Sequence, residues 1–315
     1  MNENNTLYRF IGLHIMFFLE VSIGIIANTV LLLFRVLKFF LEHRLKSTNL
    51  ITGHLALIHI MMLLVFSFIA RDMFGFKNLG GVITCKSIIY LHRLMRGLSI
   101  STTCLLSVLQ AITLSPRSSC LAKFKYRSSH HSLFCFLFLW IFNMFISSRF
   151  LFVTGITANV TSHNLMFLTE SCSLWPISYL FKDLYFSLTT IRDIFCIGLM
   201  VLSSGYMVIL LFMHKKQSRN LHSTSLSSKA SPEQRATWTI LLLMSFFTVM
   251  YFFDYAIASI SGMLWKSDPI RHCIQMLVGN GYATVSPLVL VSTEKQIITF
   301  LISIWKKDNR CLIIK

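Results

Sequence analysis

The sequence predicts an all-α membrane protein, a seven-helix transmembrane bundle with its N-terminus outside and its C-terminus cytoplasmic. Three observations lead there. Of 315 residues, 55% are apolar and only 13% charged, against about 25% charged in a soluble globular domain. The apolar residues gather in seven runs, each able to cross a bilayer as a helix of about 20 residues, whereas a closed barrel shows segments of about ten alternating residues. The basic residues collect in alternate gaps between those runs. The net charge of +17 therefore forms no arm or stripe of the kind that nucleic acid selects. Composition also excludes a cytosolic enzyme.

In chain order the spans run 10–34, 48–70, 85–114, 132–153, 184–213, 237–264 and 271–292. The first follows a mostly polar stretch whose charged residues are Glu3 and Arg9. The third and seventh are the least apolar, carrying His92, Arg93, Arg96, Asn280 and several Ser and Thr residues, which places them inside the bundle. The Ser-rich stretch from Ser218 to Ser231 reads as a cytoplasmic loop, ended by Pro232 before the sixth span. Pro287 removes a backbone donor and kinks the seventh. Residues 293–315 form a short cytoplasmic tail, and the chain is a single domain without internal repeats. No basic n-region precedes a short apolar core and cleavage site, so no cleavable signal peptide is expected.

The distribution of Lys and Arg sets the orientation. The first gap holds Arg35, Lys38, Arg44 and Lys46, and the third holds Arg117, Lys123, Lys125 and Arg127. The fifth holds Lys215, Lys216, Arg219, Lys229 and Arg235, and the tail holds Lys295, Lys306, Lys307, Arg310 and Lys315. The N-terminal stretch and the other gaps hold only Arg9, Arg71, Lys77, Lys182 and Lys266. The positive side is cytoplasmic.

That layout puts Cys85, Cys172 and, at a span boundary, Cys273 on the oxidising side. A Cys85–Cys172 disulfide would pin the second outer loop over the bundle; the alternative is two free thiols. It would close a loop of roughly 87 residues, worth at most about 4.6 kcal/mol of chain entropy, and less in a chain already held by a membrane. Cys104, Cys135 and Cys196 read as small packing residues. Asn159-Val160-Thr161 and Asn4-Asn5-Thr6 are acceptor triplets for N-glycosylation, and both fall outside.

Ionisable groups within spans cost about 2.5–3.5 kcal/mol each on insertion scales, so each needs a partner or a function. Counted from the outer helix ends at 1.5 Å per residue, Glu20 lies about 15 Å deep, Arg93 and Arg96 about 12 and 17 Å, Arg192 and Asp193 about 12–14 Å, and Asp254 about 15 Å. Three acids and three bases thus share one layer and sum to zero charge. Arg93 and Arg96, three residues apart, are expected to share a helix face. The layer reads either as a set of salt bridges that fixes helix packing or as the floor of an outward-facing pocket whose groups orient a ligand. Arg149, near a helix end, snorkels to the interface. His59 and Asn28, nearer the bilayer centre, read as satisfied interhelical hydrogen bonds. No metal-binding or cofactor motif is present, nor a P-loop, H-E-x-x-H or G-x-S-x-G string.

Several strings resemble one family. His54-Leu55-Ala56-Leu57-Ile58-His59 lies in the second span, and RGLSISTTCLLSVLQAITLSPRSS runs from Arg96 to Ser119. The acceptor triplet at Asn159 follows, and SPLVLVSTEKQI runs from Ser286 to Ile297. Together they resemble a vomeronasal type-1 receptor, a pheromone-sensing G-protein-coupled receptor, over nearly the whole chain. The resemblance implies a multi-pass protein of the plasma membrane that binds a small volatile or steroid-like ligand from outside and activates an inhibitory-class heterotrimeric G protein inside. Leu109-Gln110-Ala111 stands where rhodopsin-like receptors carry an acid-Arg-aromatic triplet. Ser286-Pro287-Leu288-Val289-Leu290 replaces Asn-Pro-x-x-Tyr. His59 stands where related receptors hold a sodium-binding Asp, which implies no sodium site there.

Other readings have less support. A bitter-taste-type receptor would carry a seventh-helix string around His-Ser-Phe-Ile-Leu, which does not appear. A transporter commonly shows two related halves, and none is visible. An intramembrane aspartyl protease would use Asp193 and Asp254, yet no G-x-G-D string accompanies them and Arg192 adjoins Asp193.

Overall fold

The structure is a computed structural model that describes residues 2–42, 47–73, 82–116, 129–148, 151, 154–156, 166–167, 172–174, 179–221, 232–263 and 269–293. Among these residues lie seven long helices and three short strands. The helices are α1 (Asn2–Glu42), α2 (Ser47–Met73), α3 (Val82–Leu114), α4 (Ser129–Ser147), α5 (Tyr179–Leu221), α6 (Pro232–Met263) and α7 (Pro269–Thr293).

Each helix coincides with most of one apolar run, and several outlast it. The 41 residues of α1 and the 43 of α5 reach about 60 Å at 1.5 Å per residue, twice the roughly 30 Å of bilayer hydrocarbon. Helix extension adds one hydrogen bond per residue once a turn exists, so a helix started in lipid continues through Lys215 and Lys216 into polar surroundings. In the other direction, α4 ends at Ser147, short of the expected boundary at 153. Both α6 and α7 begin at a proline, the first helical position at which a missing N–H costs nothing. Pro287 lies inside α7.

Four described segments, Ile11–Phe40, Thr48–Ala70, Ile83–Leu114 and Ser187–Met213, are long and apolar enough to cross a membrane. Shorter apolar stretches lie at Phe134–Ser147, Leu241–Asp254 and Leu277–Ser292. The outer surface matches this: Phe138, Phe142, Ile194, Phe195, Leu202 and Phe212 are all exposed. Lipid tails give no hydrophobic drive between such helices, so close packing and buried polar contacts must hold them together.

Helix α3 is central and packs on α2, α4, α5 and α6. One apolar cluster joins Phe17, Met62, Phe66, Met95, Leu98 and Ala283 across α1, α2, α3 and α7. A second joins Ile100, Cys104, Phe136, Cys196, Phe247 and Tyr282, and a third joins Ala111, Met207 and Leu241. Cys104 and Cys196 are buried packing residues as expected, but Cys135 is exposed, because its side of α4 faces away from the bundle. At the α1–α7 seam, the Asn28 side-chain amide donates to the carbonyls of Gly24 and Ala283, both at 2.8 Å.

The strands β1 (Thr154–Ile156), β2 (Met166–Phe167) and β3 (Cys172–Leu174) form an antiparallel sheet in the order β1-β3-β2. Ile156 pairs with Cys172 and Thr154 with Leu174. Strand β1 lies against α3, which seats this strand on the bundle.

Candidate functional site

Arg96 of α3, Arg192 and Asp193 of α5 and Asp254 of α6 meet in one network. Arg96 donates through Nη2 to Asp254 Oδ2. Its guanidinium carbon also stands 5.8 Å from the centre of the Tyr251 ring, in range of a cation–π contact. Tyr251 lies one turn before Asp254 on α6, so both face α3. The Tyr251 hydroxyl donates to Asp193 Oδ2. On α5, Arg192 Nε donates to Asp193 Oδ1 at 2.8 Å, and Arg192 Nη1 donates to Asn143 Oδ1 of α4 at 3.1 Å. Asn143 is fully buried and donates to Leu139 O at 2.8 Å. Each cation thus has a carboxylate, and Tyr251 links the two pairs.

Two glycines make room for this layer. A Cβ on Gly97 of α3 would fall 2.5 Å from Asn143 Oδ1 and 2.6 Å from Arg192 Nη1. A Cβ on Gly279 of α7 would fall 3.1 Å from Asp254 Oδ1 and 3.2 Å from Arg96 Nη1. Charged groups occupy the space where side chains would otherwise stand.

Beside the Arg96–Asp254 pair is a cavity of about 30 Å³, lined by Met62, Ser99, Phe247, Met250, Tyr251, Gly279 and Tyr282 together with the pair itself. A space of that size holds about two water molecules. Ser99 connects it to a buried hub: Ser99 Oγ lies 2.9 Å from His59 Nε2, Ser286 Oγ lies 3.3 Å from His59 Nδ1, and the Tyr282 ring meets the imidazole edge-on at 5.5 Å. His59 is therefore met at both ring nitrogens across helices, as its depth implied, whereas Asn28 donates across the α1–α7 seam but its buried Oδ1 has no partner among the described residues. On the other side of α2, His54 Nε2 accepts from Trp140 Nε1 of α4 at 3.0 Å.

Of the six charged residues read as one layer, the structure brings Arg96, Asp254, Arg192 and Asp193 together. Glu20 stands on another side of α7, where its Oε1 is 3.8 Å from the position of a Cβ on Gly281, and it does not line the cavity. Arg93 is exposed, so it does not share the inward face of Arg96. Cys85 is buried and disulfide-bonded, and Cys172 lies in β3. Asn159 lies outside the described residues, and Asn4 is in the first turn of α1 with its side chain outside them. Sequence reasoning missed Tyr251, Asn143, Gly97 and Gly279. The available signals were the i, i+3 spacing of Tyr251 to Asp254 and the string Gly279-Asn280-Gly281 in an apolar run. Among the described residues no three His, Cys, Asp or Glu side chains cluster as metal ligands.

A family profile described as "Vomeronasal organ pheromone receptor family" matches residues 11–303. The chain belongs to the vomeronasal type-1 receptor family. It is 53% identical over 304 residues to vomeronasal type-1 receptor 90 of Rattus norvegicus, covering 96% of this chain and 98% of that protein. It is 50% identical over 301 residues to vomeronasal type-1 receptor 48 of Mus musculus, covering 96% and 99%. This vomeronasal receptor is accordingly a multi-pass membrane protein of a pheromone-sensing G-protein-coupled family, and its relatives are receptors rather than enzymes. Leu109-Gln110-Ala111, in place of the acid-Arg-aromatic triplet, lies on α3 one turn before its end at Leu114.

In this vomeronasal receptor the His59–Ser99–Ser286 cluster fills the core with neutral partners and presents no carboxylate. Replacing sodium by choline in the assay medium is therefore expected to leave ligand potency unchanged. A sodium-dependent shift that survives substitution of His59 would place the ion elsewhere, and one abolished by that substitution would overturn the assignment.

Proposed function

We propose that this receptor binds a small, pheromone-like molecule from the extracellular side, in the space bounded by α3, α6 and α7, and activates an inhibitory-class G protein at its cytoplasmic face. The observation that carries this reading is the Arg96–Asp254 pair, joined between α3 and α6 and lining a cavity. A ligand that alters this contact changes the relation of two helices whose other ends face the cytoplasm. We take the protein as a single seven-span domain with the N-terminus outside and residues 293–315 cytoplasmic, as the basic gaps imply.

The test is expression in cells carrying a reporter of inhibitory-class signalling, exposed to urinary and gland extracts. A response abolished by pertussis toxin supports the assignment. A ligand-gated current that persists without any G protein would favour a channel instead. A tag at Lys315 is expected to be reached by antibody after permeabilisation and not before.

In this layout Cys85 pairs with Cys172 above α3. The disulfide-bonded state of Cys85, the pairing of Cys172 with Ile156 in β1 and the seat of β1 on α3 support that partner. Cys85→Ser and Cys172→Ser are each expected to cost about 2–5 kcal/mol, and the double variant no more than either alone. Additive losses in surface-exposed receptor would separate the two residues. Asn159 and Asn4 carry N-linked glycans on this reading, so Asn159→Gln is expected to remove one glycosidase-sensitive shift in gel mobility.

A further inference from the structure

The cavity indicates what chemistry its occupant carries. Asp254 is 6% exposed and accepts from Arg96 through Oδ2 alone. Its Oδ1 is buried with no hydrogen-bond partner among the described residues, at the cavity wall where Gly279 has no side chain. Of the other polar side chains of the wall, Ser99 already meets His59 and Tyr251 already donates to Asp193, and Arg96 and Tyr282 complete the polar set. The rest of the wall is apolar, with methionines on two sides.

We propose that the ligand is an uncharged, mainly apolar molecule that places a hydroxyl or similar hydrogen-bond donor on Asp254 Oδ1. This rests on the reading that the cavity is the ligand site. A carboxylate has lone pairs on both oxygens and needs donors for each, and a buried acceptor left open favours any ligand that supplies one. Full charge on the ligand is disfavoured from both sides. Arg96 is matched by Asp254 and Arg192 by Asp193, so an anion or cation must break an existing pair or remain uncompensated in a medium of low polarity. The present volume admits the donor and its carbon; the body of the ligand enters where Met62 and Met250 stand, side chains with enough rotatable bonds to yield.

The experiment uses the full receptor in lipid nanodiscs and four probes of one medium-chain skeleton: the alcohol, its methyl ether, the alkylammonium and the carboxylate. Thermal stabilisation against probe concentration gives the relative affinities. The alcohol is expected to bind about tenfold or more tightly than the ether, as for one hydrogen bond to a charged acceptor, and both charged probes more weakly still. Gly279→Val, which fills the space at Oδ1, is expected to abolish alcohol binding, and Met250→Trp to do so from the α6 side of the cavity. An ether equal to the alcohol, a charged probe that binds best, or no stabilisation by the alcohol overturns the proposed chemistry. Should the probes bind and neither variant weaken them, the site itself lies elsewhere and the reading beneath the proposal fails. Should both variants abolish binding while ether equals alcohol, the site stands and only the donor assignment falls.

Discussion

Arg96→Met is expected to destabilise the receptor by about 3–5 kcal/mol, and Arg96→Met combined with Asp254→Leu by much less. Removing one member of a buried ion pair leaves the other as an uncompensated charge, whereas replacing both with apolar groups of similar volume is often neutral. The two side chains expose only 23% and 9% of their surface, so solvent screening offers little relief. Thermal unfolding of the purified single and double variants gives the coupling directly, and additive losses would show that the pair makes no energetic unit. Function is expected to separate from stability in Arg96→Gln. Glutamine keeps a donor for Asp254 but not the charge, so ligand potency per surface receptor falls by more than surface delivery does. Unchanged potency with normal delivery would assign the pair to packing alone.

Gly97→Ala is the second large effect expected, at about 2–4 kcal/mol from overpacking and the loss of a charged hydrogen bond. One methyl group would stand 2.5 Å from Asn143 Oδ1 and 2.6 Å from Arg192 Nη1. Either atom alone sits at the end of a movable side chain. Here they bond each other at 3.1 Å, and Arg192 is also held by Asp193, so neither moves without breaking a buried contact. Gly198 and Gly205 on α5 are the controls, because an added Cβ there meets nothing within 4 Å. Alanine at those positions is expected to be neutral or slightly stabilising, since glycine is the poorer helix former. If Gly97→Ala unfolds at the same temperature as those controls, the tight contact between α3 and α5 is not a constraint on stability.

The legible part of the site was its depth. A helix advances 1.5 Å per residue whatever it packs against, so counting along each apolar run put Arg96, Arg192, Asp193 and Asp254 at one level about 12–17 Å from the outer ends. Direction around each helix was not legible to the same degree. Three residues turn about 300°, which leaves Arg93 and Arg96 about 60° apart. With α6 on one side of α3, that offset directs Arg96 to Asp254 and leaves Arg93 exposed. Glu20 shares the depth of the others but belongs to α1, across α7 from the Arg96 pair. Arg192 and Asp193 are adjacent in sequence, and their contact was the one pairing that spacing alone implied.

By itself the sequence determined that much of this chain forms membrane-capable helices, that ionisable groups stand within its apolar runs, and that its strings resemble one receptor family. Those properties depend on composition, on rise per residue and on local order, all of which survive without a neighbour. Tertiary structure decided which acid each arginine meets, that Tyr251 bridges the two pairs, and that Gly97 and Gly279 leave the room for them. It also decided that Asp254 Oδ1, on the cavity wall, is left without a donor among the described residues. The reason is geometric. Partner choice follows from how helices are rotated and how closely they approach, and those quantities are set jointly by all the side chains in each interface.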